Sequence, residues 1–301
     1  MMESNAQTIG MVGLGIMGSA IARNLIKAGA AIRGYDTDPT CLTNLRAGGG
    51  EPVHSAAEAA RGAHVMLTSL PSVAALDITV ESLRSEGAHG LVVAELSTLP
   101  IAAKETARTR LAEGGIILLD CPLSGTGAQA VSGDLAVYAS GDAKSYAEIE
   151  PVFRCFARVS HYLGVFGNGS KMKFIANLLV AVHNVASAEA MVLGIKAGLD
   201  PAAVVDVIAS GVGTSKVFEL RAPLMAAGVY QPATMKIDIW QKDMAIIGDF
   251  ARWLGVTTPT FTATGPVYDA AIKAGLGAAD TAAVCAVLEA SAGLHPRKPQ
   301  G

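Results

Sequence analysis

Only four of the 301 residues are cysteine, Cys41, Cys121, Cys155 and Cys285. They are widely scattered and form no CxxC pair, which argues against a disulfide scaffold or a thiolate metal site and fits reduced, packed thiols in a cytoplasm. The six histidines, His54, His64, His89, His161, His183 and His295, show no metal-ligand spacing, so no metal is expected. Basic runs are missing as well, and a net charge of -3 gives no electrostatic footprint for nucleic acid or an anionic membrane. The longest charge-free runs, such as residues 253–268, contain Pro, Thr and Gly and fall short of the roughly 18 apolar residues that a membrane span needs. The first eight residues are polar, with neither a secretory h-region nor an Arg-rich presequence. These absences lead to the expectation of a soluble, cytoplasmic protein without nucleic-acid or membrane partners.

What is present is apolar content, 51% of the chain, over a length that suits two domains with separate cores. From Thr8 to about Leu163, short apolar runs alternate with helical patterns. Strand candidates are 8–12, 30–35, 65–70, 91–96, 116–120 and 135–139, with helices near 55–62, 100–113 and 142–156. This alternation predicts α/β architecture, a Rossmann-type doubly wound parallel sheet wrapped by helices. After Gly169 the strand signals stop. Ser170 to Ala197 reads as one long interdomain helix ended by Gly198, and Asp200-Pro201 supplies the cap and first turn of the next. The remainder reads as helical to about Ala292, followed by a loose tail from Pro296 to Gly301. The expected domains are therefore residues 1–166, dinucleotide-binding, and 167–301, all-helical. The long helix is apolar on most of its surface and must be buried on most of it, which predicts a homodimer or homotetramer packed through the helical half.

The first apolar run leads into Gly13-Leu14-Gly15-Ile16-Met17-Gly18 and then a helix. In this setting Gly13 permits a tight turn, Gly15 lets backbone approach a pyrophosphate, and Gly18 lets helix and strand pack closely. The phosphates would lie over free N–H groups at the helix start. The second run ends in Asp36, about 20 residues further on, where a carboxylate accepts from a ribose and repels a 2'-phosphate. NAD is therefore expected over NADP. Asp38 is close enough to compete for this assignment, and a surface aspartate in the turn before Pro39 is the plainer alternative.

Lys173 and Asn177 are four residues apart on the long helix and share a face, whereas Lys171 points elsewhere. A lysine in an apolar cleft can serve as a general acid/base, because desolvation brings its pKa toward working pH. At the end of a strand candidate, Asp120-Cys121-Pro122-Leu123-Ser124-Gly125-Thr126-Gly127 places two hydroxyls among small-residue amides, a donor ring suited to a carboxylate. A surface turn would account for the glycines but not for Ser124 and Thr126. Trp240 reads as core or pocket wall, His183 as packing, and Arg221 as a solvated helix face or a second carboxylate contact.

In this order the motifs resemble the β-hydroxyacid dehydrogenase family, whose members include 3-hydroxyisobutyrate dehydrogenase and tartronate semialdehyde reductase and which is related to 6-phosphogluconate dehydrogenase. The cofactor signature is matched by Gly13 to Leu25, the substrate signature by Asp120 to Gly133, the catalytic signature by Gly167 to Asn177, and a late Lys-Asp element by Lys242-Asp243-Met244. The resemblance implies that Lys173 moves the proton at the substrate oxygen, that Ser124, Gly125 and Thr126 hold the carboxylate, and that Asn177 fixes hydroxyl or carboxylate. It also implies that Leu70, Pro71, Ser97 and Thr98 line the nicotinamide pocket and that Lys242 closes over cofactor and substrate. Thr126 stands where a second glycine is common, and Ala176 where many members have asparagine. Both departures bear on substrate identity rather than the proton relay. Val180 occupies the place of the acid that the decarboxylating branch requires, so reversible hydride transfer between NAD(H) and a small 3-hydroxy acid or its semialdehyde is expected. The alternatives are an imine reductase on the same scaffold, against which Lys173 argues, and a non-catalytic nucleotide-binding module.

Overall fold

The apolar runs of the first half form strands covered on both faces, as a parallel sheet requires. The structure, a computed structural model, describes residues 7–86 and 88–294; His295 and the tail 296–301 lie outside the described residues. In chain order come β1 (Thr8–Val12), α1 (Ile16–Lys27), β2 (Ala31–Tyr35), α2 (Pro39–Ala47), β3 (Glu51–Pro52), α3 (Ala56–Ala60), β4 (Val65–Thr68), α4 (Val73–Glu86), β5 (Val92–Glu95), α5 (Ile101–Ala112) and β6 (Ile117–Asp120). The six strands pair in parallel in the order 3-2-1-4-5-6, the doubly wound arrangement. Side chains alternate between two cores: Ile9, Met11, Leu67 and Leu119 pack with Ile21 and Leu25 of α1, while Val12, Met66, Val93 and Leu118 pack with Leu76 and Leu111 of α4 and α5.

A smaller sheet follows, made of β7 (Leu123–Ser124), β8 (Leu135–Ala139) and β9 (Ala157–Tyr162), with α6 (Gly127–Ser132) and α7 (Ala143–Phe153) between them. The sequence reading did not foresee β3, β7 and β9. Two of them are two residues long, and β9 is mostly half-buried or exposed, so none leaves an apolar run.

The described helices continue with α8 (Asn168–Lys196), α9 (Pro201–Ala209), α10 (Lys216–Ala227), α11 (Ile237–Trp253), α12 (Pro259–Lys273), a 3-10 turn at Thr281–Ala283 and α13 (Val284–Ser291). Contacts divide the chain into two compact units, Met1–Lys173 and Phe174–Gly301, with the division inside α8. By length and composition α8 is long and apolar enough to cross a membrane, which corrects the reading that no segment reaches that length. Only 39% of its most apolar window is buried in the single chain.

In the second unit, Asp280 is fully buried and accepts from Arg221, from the N–H and hydroxyl of Thr234, and from the N–H groups of Met235 and Ala282. Arg221 is therefore a buried structural partner, neither a solvated face nor an open carboxylate contact. Burial alone would raise the Asp280 pKa, but the guanidinium and the N–H donors outweigh it and hold the carboxyl below its usual value. A depressed folded-state value means that this stabilisation is complete above the unfolded pKa of about 3.9 and is lost as pH falls through the folded one. Asp280→Asn is expected to destabilise the protein by about 3 to 5 kcal/mol at neutral pH, the cost of leaving a buried charge unpaired. Denaturant titrations of both proteins between pH 7 and 3 should show the gap narrowing only at the acid end.

Candidate active site

In the sheet register, Val12 pairs with Tyr35 and Thr68, Thr68 with Glu95, and Glu95 with Asp120. Five strands thus end on one row, and the chain leaves the sheet there at Gly13, Asp36, Ser69, Leu96 and Cys121. Ligands of open α/β sheets bind at this carboxyl edge.

The glycine turn has the shape that a dinucleotide needs. Gly13 has φ +86, and a Cβ there would meet the Ser69 carbonyl oxygen at 2.1 Å; a Cβ on Gly18 would meet the Gly13 oxygen at 2.0 Å. Over Gly15 there is open space within 4 Å, and α1 begins with no side chain capping its N–H groups. Gly15 and Ile16 are exposed and Met17 half-buried. The residues present therefore fit a pyrophosphate held by the orphan donors of a helix start. Asp36 accepts from the Leu14 N–H at 2.6 Å and the Asp38 N–H at 2.8 Å, so it braces the glycine turn. Asp38 instead caps α2 through the Thr40 N–H, which lowers its own pKa.

On the neighbouring strands, the Leu70 N–H donates to the Ser97 hydroxyl at 2.7 Å, and the Ser97 N–H donates to Glu95 at 3.0 Å. Leu70 is buried, Thr98 half-buried and Pro71 exposed. Behind them lies a cluster that sequence reasoning missed. Lys104 of α5, 1% exposed, contacts Glu95 at 2.6 Å and Asp120 at 2.8 Å and donates to the Ser97 carbonyl at 2.7 Å. Burial would lower its pKa, but the two carboxylates raise it well above the ordinary lysine value. A signal was available: Lys104 shares the apolar helix face of Ala107 and Leu111, opposite two strands that both end in an acid.

The loop after β6 turns at Gly125, whose φ of +140 and approach to the Leu135 side chain exclude a Cβ. Ser124 pairs with Ala136 in the small sheet, and its side chain is half-buried. Thr126 is the N-cap of α6: its hydroxyl accepts from the Gln129 N–H, and its own N–H donates to the Gln129 amide oxygen at 3.0 Å. The structure thus gives Thr126 a capping task that accounts for a hydroxyl there. Asn24 of α1 donates to the Ala130 carbonyl at 2.8 Å, tying the cofactor helix to this loop.

On α8, Lys173 is half-buried and Asn177 buried, and Lys171 donates to the Asn168 side chain at 3.1 Å. Asn177 donates from Nδ2 to Asp243 at 3.0 Å. A carboxylate only accepts, so the amide orientation is fixed. Asp243 also lies 3.5 Å from the Lys242 ammonium, whose side chain is 33% exposed. Trp240 is buried against Tyr268, with ring centroids 6.3 Å apart, and belongs to the core of its unit.

This geometry defines the class of dinucleotide-binding, doubly wound proteins, and comparison narrows it. Residues 8–164 match the family described as the NAD binding domain of 6-phosphogluconate dehydrogenase, and residues 167–288 match NAD-binding of NADP-dependent 3-hydroxyisobutyrate dehydrogenase. The chain is 36% identical to an L-threonate dehydrogenase of Cupriavidus necator, over 93% of this chain and 95% of that one. The crystal structure of a 3-hydroxyisobutyrate dehydrogenase from Salmonella typhimurium superposes with a TM-score of 0.85 at 29% identity, covering 94% of this chain and all of that one. A Mycobacterium tuberculosis 3-hydroxyisobutyrate dehydrogenase with L-serine gives 0.84 at 27%, covering 94% and 99%. The chain belongs to the β-hydroxyacid dehydrogenase family. It is an NAD-dependent hydroxy-acid dehydrogenase.

Because Asp36 both braces the turn and carries the charge that opposes a 2'-phosphate, Asp36→Ala should change two quantities. Fluorescence titration is expected to show NAD binding weakened about tenfold or more, from loss of hydrogen bonds to a charged acceptor, and a narrower preference for NAD over NADP. A wild type that prefers NADP would contradict the assignment.

Proposed function

We propose that Lys173 is the general acid/base of this dehydrogenase and that the substrate is a small 3-hydroxy acid or its semialdehyde. The carrying observation is the fixed amide of Asn177, one helical turn from Lys173, with its Nδ2 committed to Asp243. Its Oδ1 and second N–H remain to orient a substrate hydroxyl or carboxylate. Bound NAD supplies a hydride acceptor at nicotinamide C4. In the oxidative direction Lys173 takes the hydroxyl proton, and in reduction it returns it to the carbonyl oxygen. Ser124, Gly125 and Thr126 hold the carboxylate, with the Ser124 hydroxyl as the main side-chain donor, since the Thr126 hydroxyl accepts from the Gln129 N–H and donates to the Gln129 amide oxygen at 3.4 Å. Gly13, Gly15, Ile16, Met17 and Gly18 hold the pyrophosphate, and Asp36 holds the ribose. Leu70, Pro71 and Thr98 line the nicotinamide site, and Lys242 closes over cofactor and substrate.

The domains proposed are residues 1–166 for the dinucleotide and 167–301 for the helical part. The uncovered apolar residues of α8, Ile175, Leu179 and Leu193 among them, support a homodimer or homotetramer through the helical half. The absence of paired cysteines supports a cytoplasmic enzyme. L-Threonate, the acid named for the 36% identical relative, is the first substrate to test.

Assay of NAD reduction with L-threonate, L-serine and 3-hydroxyisobutyrate should single out one acid by kcat/KM. With that acid, Lys173→Ala is expected to lose about 10² to 10⁴-fold in kcat while NAD binding stays near normal. Wild-type turnover in this variant would remove the lysine from the mechanism. Ser124→Ala should raise the substrate KM by roughly ten- to a hundredfold, the worth of a hydrogen bond to a charged group, with little change in NAD affinity. An equal loss toward an analogue lacking the carboxylate would rule the loop out as its anchor.

A further inference from the structure

Glu95 and Asp120 are neighbours in the register of adjacent parallel strands, and both are fully buried. Two carboxylates in that position need compensation, since isolated buried charge is expensive. Lys104 supplies one positive charge. The remaining negative charge faces the start of α8: the Ser170 N–H donates to Asp120 at 2.8 Å, the Ser170 hydroxyl donates to it at 2.7 Å, and the Gly169 N–H donates to the Ser140 hydroxyl at 2.9 Å. A helix N-terminus carries roughly half a positive charge, so the cluster closes electrostatically only with the helix docked. The approach is tight, because a Cβ on Gly169 would meet the Tyr138 oxygen at 2.2 Å and the Asp120 oxygen at 2.7 Å. Lys173 lies three residues beyond Ser170 on the same helix. From its other side Lys104 holds the Ser97 carbonyl, and Ser97 holds Leu70.

We infer that Lys104 is a positioning residue for the reaction: with Glu95 and Asp120 it locks the first turn of α8, and hence Lys173, to the strand edge that carries the Leu70 and Ser97 turns. Its function is charge balance, because the cluster must keep a single excess negative charge toward the helix. The catalytic consequence rests on the reading of Lys173 as the acid/base, whereas the anchoring of the helix does not.

The test compares Lys104→Met, which removes the ammonium and leaves two adjacent buried carboxyl groups, with the double variant Glu95→Gln/Lys104→Met, which leaves one, and with Ser170→Ala. Lys104→Met is expected to lower kcat at least tenfold, with substrate KM and the NAD dissociation constant each within threefold of wild type. Deuterium exchange should become faster in a peptide spanning residues 168–174. The double variant should recover most of kcat and of the protection, a rescue that simple loss of packing would not give. If Lys104→Met does not fold, Ser170→Ala and the double variant carry the test: Ser170→Ala should lower kcat severalfold and loosen the same peptide, with exchange in the strands of the six-stranded sheet unchanged. Unchanged exchange in that peptide in Ser170→Ala, and in Lys104→Met where it folds, would overturn the anchoring. Faster exchange with wild-type kcat would overturn the catalytic consequence, and if Lys173→Ala is also fully active, the fault lies with the Lys173 reading instead.

Discussion

The buried carboxylate of Asp120 is the constraint around which the first unit is arranged. It ends β6, beside Glu95 on β5, in a parallel sheet whose faces are both covered, so water cannot solvate it. Lys104 and the start of a 29-residue helix meet that requirement together, and the bridge between Asp120 and Ser140 draws the second sheet to the same point. Strand edge, loop and helix are therefore held by one group.

The second unit uses a comparable device in Asp280, whose partners come from α10, from the segment before α11 and from the 3-10 turn. In both units a single acid gathers N–H groups from separate segments. Asp243 is used differently, since it fixes the orientation of one amide, that of Asn177.

Much of the doubly wound half was legible because a sheet buried on both faces writes continuous apolar runs into the sequence, as at 65–68 and 92–95. Strand β9 was not legible, since all but one of its residues are half-buried or exposed and they carry no period. The glycine turn could be read because Gly13 and Gly18 leave no room for a Cβ, a constraint visible residue by residue. The division of labour between Asp36 and Asp38 needed coordinates: both are acids in one turn, and only geometry shows that one reaches Leu14 and the other caps α2. The Lys104 cluster was hidden because its members are separated by 9 and 16 residues and meet only through strand register.

Thr126 shows how such a loop can drift over evolutionary time. Its hydroxyl and N–H serve α6, yet replacing a threonine N-cap by glycine costs only a few tenths of a kcal/mol. The helix would survive the exchange, while the loop would gain a freer backbone beside Ser124. One substitution can therefore reshape the loop without unfolding the protein, leaving this position free to vary at little cost to the fold.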